Sequence, residues 1–81
     1  MDYKYRLQLT VDGTDIDHDA IYQIFALTFR GDGLQVNGDS SRITLSYNSN
    51  EPWRVLEFCA SFGEMHDITI VNLHTEVQNE T

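Results

Sequence analysis

Three histidines, one cysteine and a run of alternating aspartates are the side chains here with the chemistry to hold a metal or drive catalysis: His18, His66, His74, Cys59 and Asp15-Ile16-Asp17-His18-Asp19. Metal ligation asks for fixed spacings along a helix or loop, and no two of the histidines stand at one. The aspartate run opens like a calcium loop. Ala20 then stands where such a loop needs its sixth-position glycine, and Ala26 where it needs its twelfth-position glutamate. Cys59 and a histidine would match a nucleophile pair in residue type, but Cys59 falls on an apolar stripe, which predicts a buried core thiol. Serine, histidine and aspartate are all present without a nucleophile elbow to organise them. The Gly31-Asp32-Gly33 stretch follows a predicted helix, whereas a phosphate loop leads into one. The expectation is a chain without catalytic residues, metal or cofactor.

Bulk properties narrow the classes further. The chain has 81 residues, the size of one domain, with thirteen acids against five bases and a net charge of −8. That excess opposes direct binding to nucleic acid or to an anionic membrane and favours a basic partner. A lone cysteine excludes an internal disulfide and a four-thiolate zinc site, which fits a reducing, cytoplasmic setting. Asp2, Lys4 and Arg6 interrupt the first residues, so no signal peptide is expected, and no apolar run is long enough to span a bilayer.

The elements that must position the polar residues are organised around Tyr3–Val11. Tyr3, Tyr5, Leu7, Leu9 and Val11 alternate with Lys4, Arg6, Gln8 and Thr10, the period of a strand with one buried and one wet face. Asp12-Gly13 reads as a turn. Thr14 precedes Asp17 at capping-box spacing and predicts a helix to about Phe29, with Ile16, Ala20, Ile21, Ile24, Phe25, Leu27 and Thr28 on its apolar face. Gly31 supplies a stop and Arg30 a cation for the helix C-terminus. Leu34–Val36 reads as a short strand, Asn37-Gly38-Asp39 as a turn, and Arg42–Tyr47 as a strand with Ile43, Leu45 and Tyr47 inward. Pro52 suits the first turn of a second helix over Trp53–Phe62, ended by Gly63, although that stretch also admits a strand. Asp67–Val77 is the last strand. Ile68 and Ile70 share one parity and Val71, Leu73 and Val77 the other, so either both faces are covered or a bulge sits near Ile70-Val71. Gln78–Thr81 should fray. The fold class that follows is α+β, the ferredoxin-like split βαβ, with the first and third strands central in an antiparallel sheet and both helices on the face of Tyr3, Tyr5, Leu7, Leu9 and Val11.

This topology brings three connections to one end of the sheet: the first strand-to-helix turn, the hairpin after Val36 and the turn after Gly63. They carry Asp12, Asp15, Asp17, Asp19, Asp39, Glu64 and Asp67, seven of the thirteen acids, while Lys4, Arg6, Arg30 and Arg54 fall toward the other end. Acids suit helix N-termini and turns for local reasons, which covers Asp15, Asp17 and Asp19. The gathering of the rest reads as an acidic pole that meets a cationic surface. The open sheet face carries Lys4, Arg6, Gln8, Thr10, Arg42, Thr44 and Ser46. It lacks the aromatic residues on which RNA bases stack, and it is also suited to pairing with a second copy.

In size, acidity and the lack of enzymatic motifs the whole chain resembles the small phage-encoded inhibitors of bacterial defence, anti-CRISPR proteins and DNA mimics among them. That resemblance implies a cytoplasmic protein, monomeric or homodimeric, that binds a nuclease or a CRISPR surveillance complex at a site meant for nucleic acid. No motif carries it, so no functional residue transfers. The chain is also similar to bacterial immunity proteins, which plug basic toxin active sites. A small-ligand sensor built on a ferredoxin-like dimer is the third class compatible with the sequence.

Overall fold

One face of the first strand goes under two helices, and the alternation of its residues decides which. In the computed structural model, which describes residues 3–74, β1 spans Tyr5–Gly13, with Leu7, Leu9 and Val11 buried. α1 (His18–Thr28), β2 (Gly31–Gly38), β3 (Arg42–Ser49), α2 (Pro52–Ala60) and β4 (Gly63–Asn72) follow. The four strands form one antiparallel sheet in the order β2-β3-β1-β4, the ferredoxin-like arrangement with β1 and β3 central. Ile43, Leu45 and Tyr47 of β3 stand opposite Val11, Leu9 and Leu7 and are buried with them. Cross-strand neighbours on one face are the packing unit of a sheet, so this six-residue block is the floor of the core.

The helices supply the roof. Ile21 and Phe25 of α1 and Val55 and Cys59 of α2 are buried against the floor. The Phe25 ring meets Phe29 and Tyr47 edge-on at 4.9 Å each and Phe58 at 5.7 Å, so one side chain ties α1 to the sheet and to α2. Pro52 occupies the first turn of α2, where its missing N–H has no intrahelical partner to lose. The expected second helix is present but ends at Ala60, with Ser61 and Phe62 in a turn, and Trp53 is 58% exposed and lies outside the core. Burial pushes the Cys59 thiol up to about 12, which leaves it protonated and unreactive at neutral pH.

Several boundaries differ from those the sequence predicts. β1 begins at Tyr5 and continues through Asp12 and Gly13, because both still pair, Asp12 with Arg42 and Gly13 with Gly63. The N-cap of α1 is Asp17, whose Oδ1 accepts the Ala20 N–H at 3.2 Å; Thr14 and the buried Ile16 precede the helix. Phe29 caps the other end in extended conformation, so Arg30 lies beyond the last turn. Gly31 is the first residue of β2: a side chain there would collide with the Tyr47 ring and the Asn48 carbonyl. β4 starts at Gly63 rather than Asp67. The bulge lies at Asp67-Ile68 and not near Ile70-Val71: Asp67 takes the left-handed φ of 55° and the register with β1 slips there, whereas Thr69–Asn72 pairs regularly and Val71, opposite Arg6, simply turns to the open face. β4 ends at Asn72 and not at Val77, for Leu73 and His74 already leave the strand in helical conformation; Val77 itself and the expected frayed tail at Gln78–Thr81 lie outside the described residues.

Truncating Leu7 or Leu9 to alanine is expected to cost about 2–5 kcal/mol in urea unfolding, as core truncations do. Leu27→Ala, at a position 88% exposed, is expected to change it by less than about 0.5 kcal/mol. Cys59→Ala is expected to lower stability and leave partner binding unchanged.

Candidate functional site: an acidic pole

The same parity that buries Leu9 and Val11 turns Thr10 and Asp12 to the open face, and Asp12 there organises a charged network. The Arg42 guanidinium grips its carboxylate with two N–H groups, Nε to Oδ1 at 2.6 Å and Nη2 to Oδ2 at 3.1 Å. His66 reaches the same carboxylate from β4, with Nε2 at 2.9 Å from Oδ2, and its Nδ1 lies 3.1 Å from Oδ2 of Asp67. Each contact needs an N–H on the ring, so only the doubly protonated imidazolium makes both together. A general base needs a bare ring nitrogen aimed at a nucleophile; here a carboxylate faces each nitrogen. The network is a cross-link of three strands.

Arg42 and His66 had no site role in the sequence reading. Their meeting is a matter of register: Asp12 stands opposite Arg42 on one side and Glu64 on the other, and Thr10 opposite His66. The neighbours His66-Asp67 were the one local signal, and they show nothing of Asp12, far away in sequence.

The other acids assemble around this network. The loop after β1 is stitched to the β2–β3 hairpin by two backbone bonds, Gly13 N–H to the Ser41 carbonyl at 2.9 Å and Ile16 N–H to the Ser40 carbonyl at 2.8 Å. That places Asp15, Asp17 and Asp19 beside Asp39. Asp39 Oδ1 accepts from the Ser41 N–H, the Ser41 hydroxyl and the Arg42 N–H, at 2.8, 2.9 and 3.0 Å, and so closes the hairpin. Glu64 joins from the first turn of β4. Asp67 differs from expectation: it lies on the strand, further along the sheet, bonded to His66 and lining the open face. Six of the seven acids thus gather at one end, with the seventh on their border. The expected connection after Gly63 is replaced by the start of β4, but that strand starts at the same end of the sheet.

These carboxylates divide by occupation. Asp12, Asp17, Asp39 and Asp67 hold structural partners. Asp15, Asp19 and Glu64 are exposed and make no side-chain hydrogen bond or ion pair among the described residues. The Arg42 guanidinium, with His66, holds the Asp12 carboxyl below the usual carboxylate range, and the donors of Ser41, with the Arg42 N–H, do the same for Asp39. No three His, Cys, Asp or Glu side chains among the described residues are placed to hold a metal ion.

An apolar groove of about 210 Å³ opens beside the pole between the two helices. Asp15 and Asp17 stand at its rim, and Ile21, Ile24, Phe58 and Phe62 form its wall. Across the molecule, the open sheet face is a shallow polar trough of about 380 Å³ floored by Gln8, Thr10, Gln35, Thr44, Ser46 and Thr69. No aromatic residue lines that trough, and RNA recognition by stacking has no platform there. No known protein family and no curated protein matches the sequence. Among the described residues no helix is long and apolar enough to cross a membrane.

Lowered carboxyls make the fold sensitive to acid. A group that binds its proton less tightly in the folded chain stabilises that chain above the unfolded value, here 3.8, and the gain is lost as pH falls through the folded value. Asp12→Asn and Asp39→Asn are therefore expected to be less stable than the parent at neutral pH. The difference should shrink as pH is lowered below 3.8. Chemical denaturation across that window is the check, and a gap that does not move with pH would refute the assignment.

Proposed function

We propose that the chain is a protein-binding inhibitor whose acidic pole occupies a cationic surface, one that a nucleic-acid-binding effector otherwise uses to hold phosphates. The observation that carries the reading is the convergence of carboxylates on one end of the sheet, three of them without partners among the described residues. The base within the pole, Arg42, is already neutralised by Asp12. Lys4, Arg6 and Arg54 lie toward the other end, where Lys4 and Arg6 bond Asn50 and Asn48 and Arg54 pairs with Glu51, and Arg30 directly precedes Gly31, the partner of Ser49 there. Like charges gathered on one surface repel, and local preferences of helix N-termini and turns account for Asp15, Asp17, Asp19 and Asp39 but not for Glu64.

The chemistry suits a polyanion receptor. Fixed carboxylates at a helix N-terminus, in a hairpin turn and on the paired strands β1 and β4 present negative charge on a rigid frame. A basic surface built for phosphates meets there the same sign of charge in a pre-ordered array. The groove walled by Ile24, Phe58 and Phe62 adds apolar area beside the charge. Charge then sets association rate and partner choice, and the buried apolar contact slows release. A nuclease or a CRISPR surveillance complex is the class of effector that the resemblance in size and acidity points to.

Competition tests this directly: the chain is titrated against a duplex bound to such an effector, and release of the duplex is expected. Binding should weaken as salt rises, since the screening length falls from about 10 Å at 0.1 M to about 3 Å at 1 M. Replacing Asp15→Asn, Asp19→Asn and Glu64→Gln should slow association roughly tenfold. The equal charge change Asp32→Asn, Glu51→Gln and Glu57→Gln should have little effect. Asparagine keeps the left-handed backbone that Asp15 adopts at φ 53°, so folding is retained. Equal binding by the two triple variants would reduce the pole to a solubility feature.

A further inference from the structure

The two outer strands of the sheet end it in different ways. β2 is blunted: the Val36 N–H donates to the Tyr22 hydroxyl at 3.1 Å, and its ladder is broken between Asp32 and Gln35, where Gly33 takes a φ of +67°. β4 is left bare. Among the described residues, no loop or side chain bonds the outer backbone of Ile68–Val71. Beyond the bulge at Asp67 this stretch runs regularly against β1 to Asn72.

The side chains along this edge are also unlike the rest of the surface. Residues 68–73, Ile-Thr-Ile-Val-Asn-Leu, carry no charge in a chain of net −8. Ile70 stands opposite Leu7, so it and Ile68 belong to the helix-covered face, yet they remain 46% and 43% exposed. The helix above does not reach over them. Phe58 of α2 packs toward Phe25 and Phe29 of α1. The two half-exposed isoleucines thus flank an unpaired strand edge.

We infer that β4 pairs with β4 of a second copy of this chain about a twofold axis through Thr69, joining two sheets into one of eight strands. The edge is complementary to itself in that register. Ile68 meets Ile70 of the second copy, twice by symmetry, on the helix-covered face. Asp67 stands opposite Val71, and Thr69 opposite Thr69, so no like charges are apposed. For a chain this acidic, an uncharged and self-complementary strip is the surface on which two copies meet with least repulsion. The acidic poles stay outside the junction, so the dimer presents two of them.

Salt separates this contact from the binding of a cationic partner, because screening weakens that binding and strengthens the association of two like-charged chains. Sedimentation velocity over a concentration series is expected to show the mass rising from 9.3 kDa toward twice that, at lower concentration in high salt than in low. Ile70→Lys and Ile68→Lys should remain at the single-chain mass with an unchanged circular dichroism spectrum, while Leu27→Lys, on α1, should dimerise like the parent. Amide hydrogen exchange reads the same contact without substitution: protection over Ile68–Val71 should rise with concentration. A parent chain that stays at 9.3 kDa at every concentration and salt overturns the inference and leaves the edge to a strand of another protein. Dimers that survive Ile70→Lys, or exchange over Ile68–Val71 that ignores concentration, overturn it as well.

Discussion

Burial of Leu7, Leu9 and Val11 beneath two helices fixes the parity of β1, and through it the place of the polar residues between them. A strand with period two cannot shift its register by one residue without exposing that whole row. Given the register, Asp12 must lie on the open face between Arg42 and Glu64, and Gln8 between Ser46 and Thr69. The hydrophobic contact is what locates the charged network. The network returns little stability of its own, since ion pairs this exposed are weak, but it holds β3, β1 and β4 together at the end where the acids gather.

That end combines carboxylates of two kinds. Some are structural: a cap on α1, the closure of the β2–β3 hairpin, the clasp on Arg42 and His66. They order the loops on which the others stand. The others, Asp15, Asp19 and Glu64, have no partner among the described residues, and the loop that carries Asp15 is pinned to the hairpin through Ile16. A surface whose charges are held in place before binding loses little freedom on binding, which is the usual advantage of a pre-ordered site. The structural acids therefore serve the proposed function indirectly, by rigidity.

The central strands were legible in the sequence because each buries one face and leaves the other wet, the condition under which alternation shows. β4 was harder. It is an edge strand, and its bulge moves Ile68 and Ile70 onto the face that Met65 occupies, so its apolar residues change parity partway along. The break that the sequence shows at Ile70-Val71 is no bulge, since Val71 turns to the open face opposite Arg6; the bulge lies earlier, at the left-handed Asp67. Trp53 looked like a core residue since it lies on a helical stripe with Leu56 and Ala60, yet the buried face of α2 is the neighbouring one of Pro52, Val55 and Cys59, and Trp53 is left exposed. The acidic pole was readable once the strand order was assumed, because helix N-termini and hairpin turns are local features. The Asp12–Arg42–His66 clasp was not, since it joins three strands through registers that no local pattern encodes.

Binding at one end of the sheet and self-association at one edge are compatible, as Asp15, Asp19 and Glu64 lie away from Ile68–Val71. The most direct measurement of the central claim is a set of amide chemical-shift changes on isotopically labelled chain, as a cationic nucleic-acid-binding effector is added at fixed chain concentration. The account predicts changes concentrated over Thr14–Asp19, Asp39–Ser41 and Gly63–Glu64, reversed by salt. Changes confined to the open trough around Gln8, Thr44 and Ser46, or to the opposite end around Glu51, would contradict it.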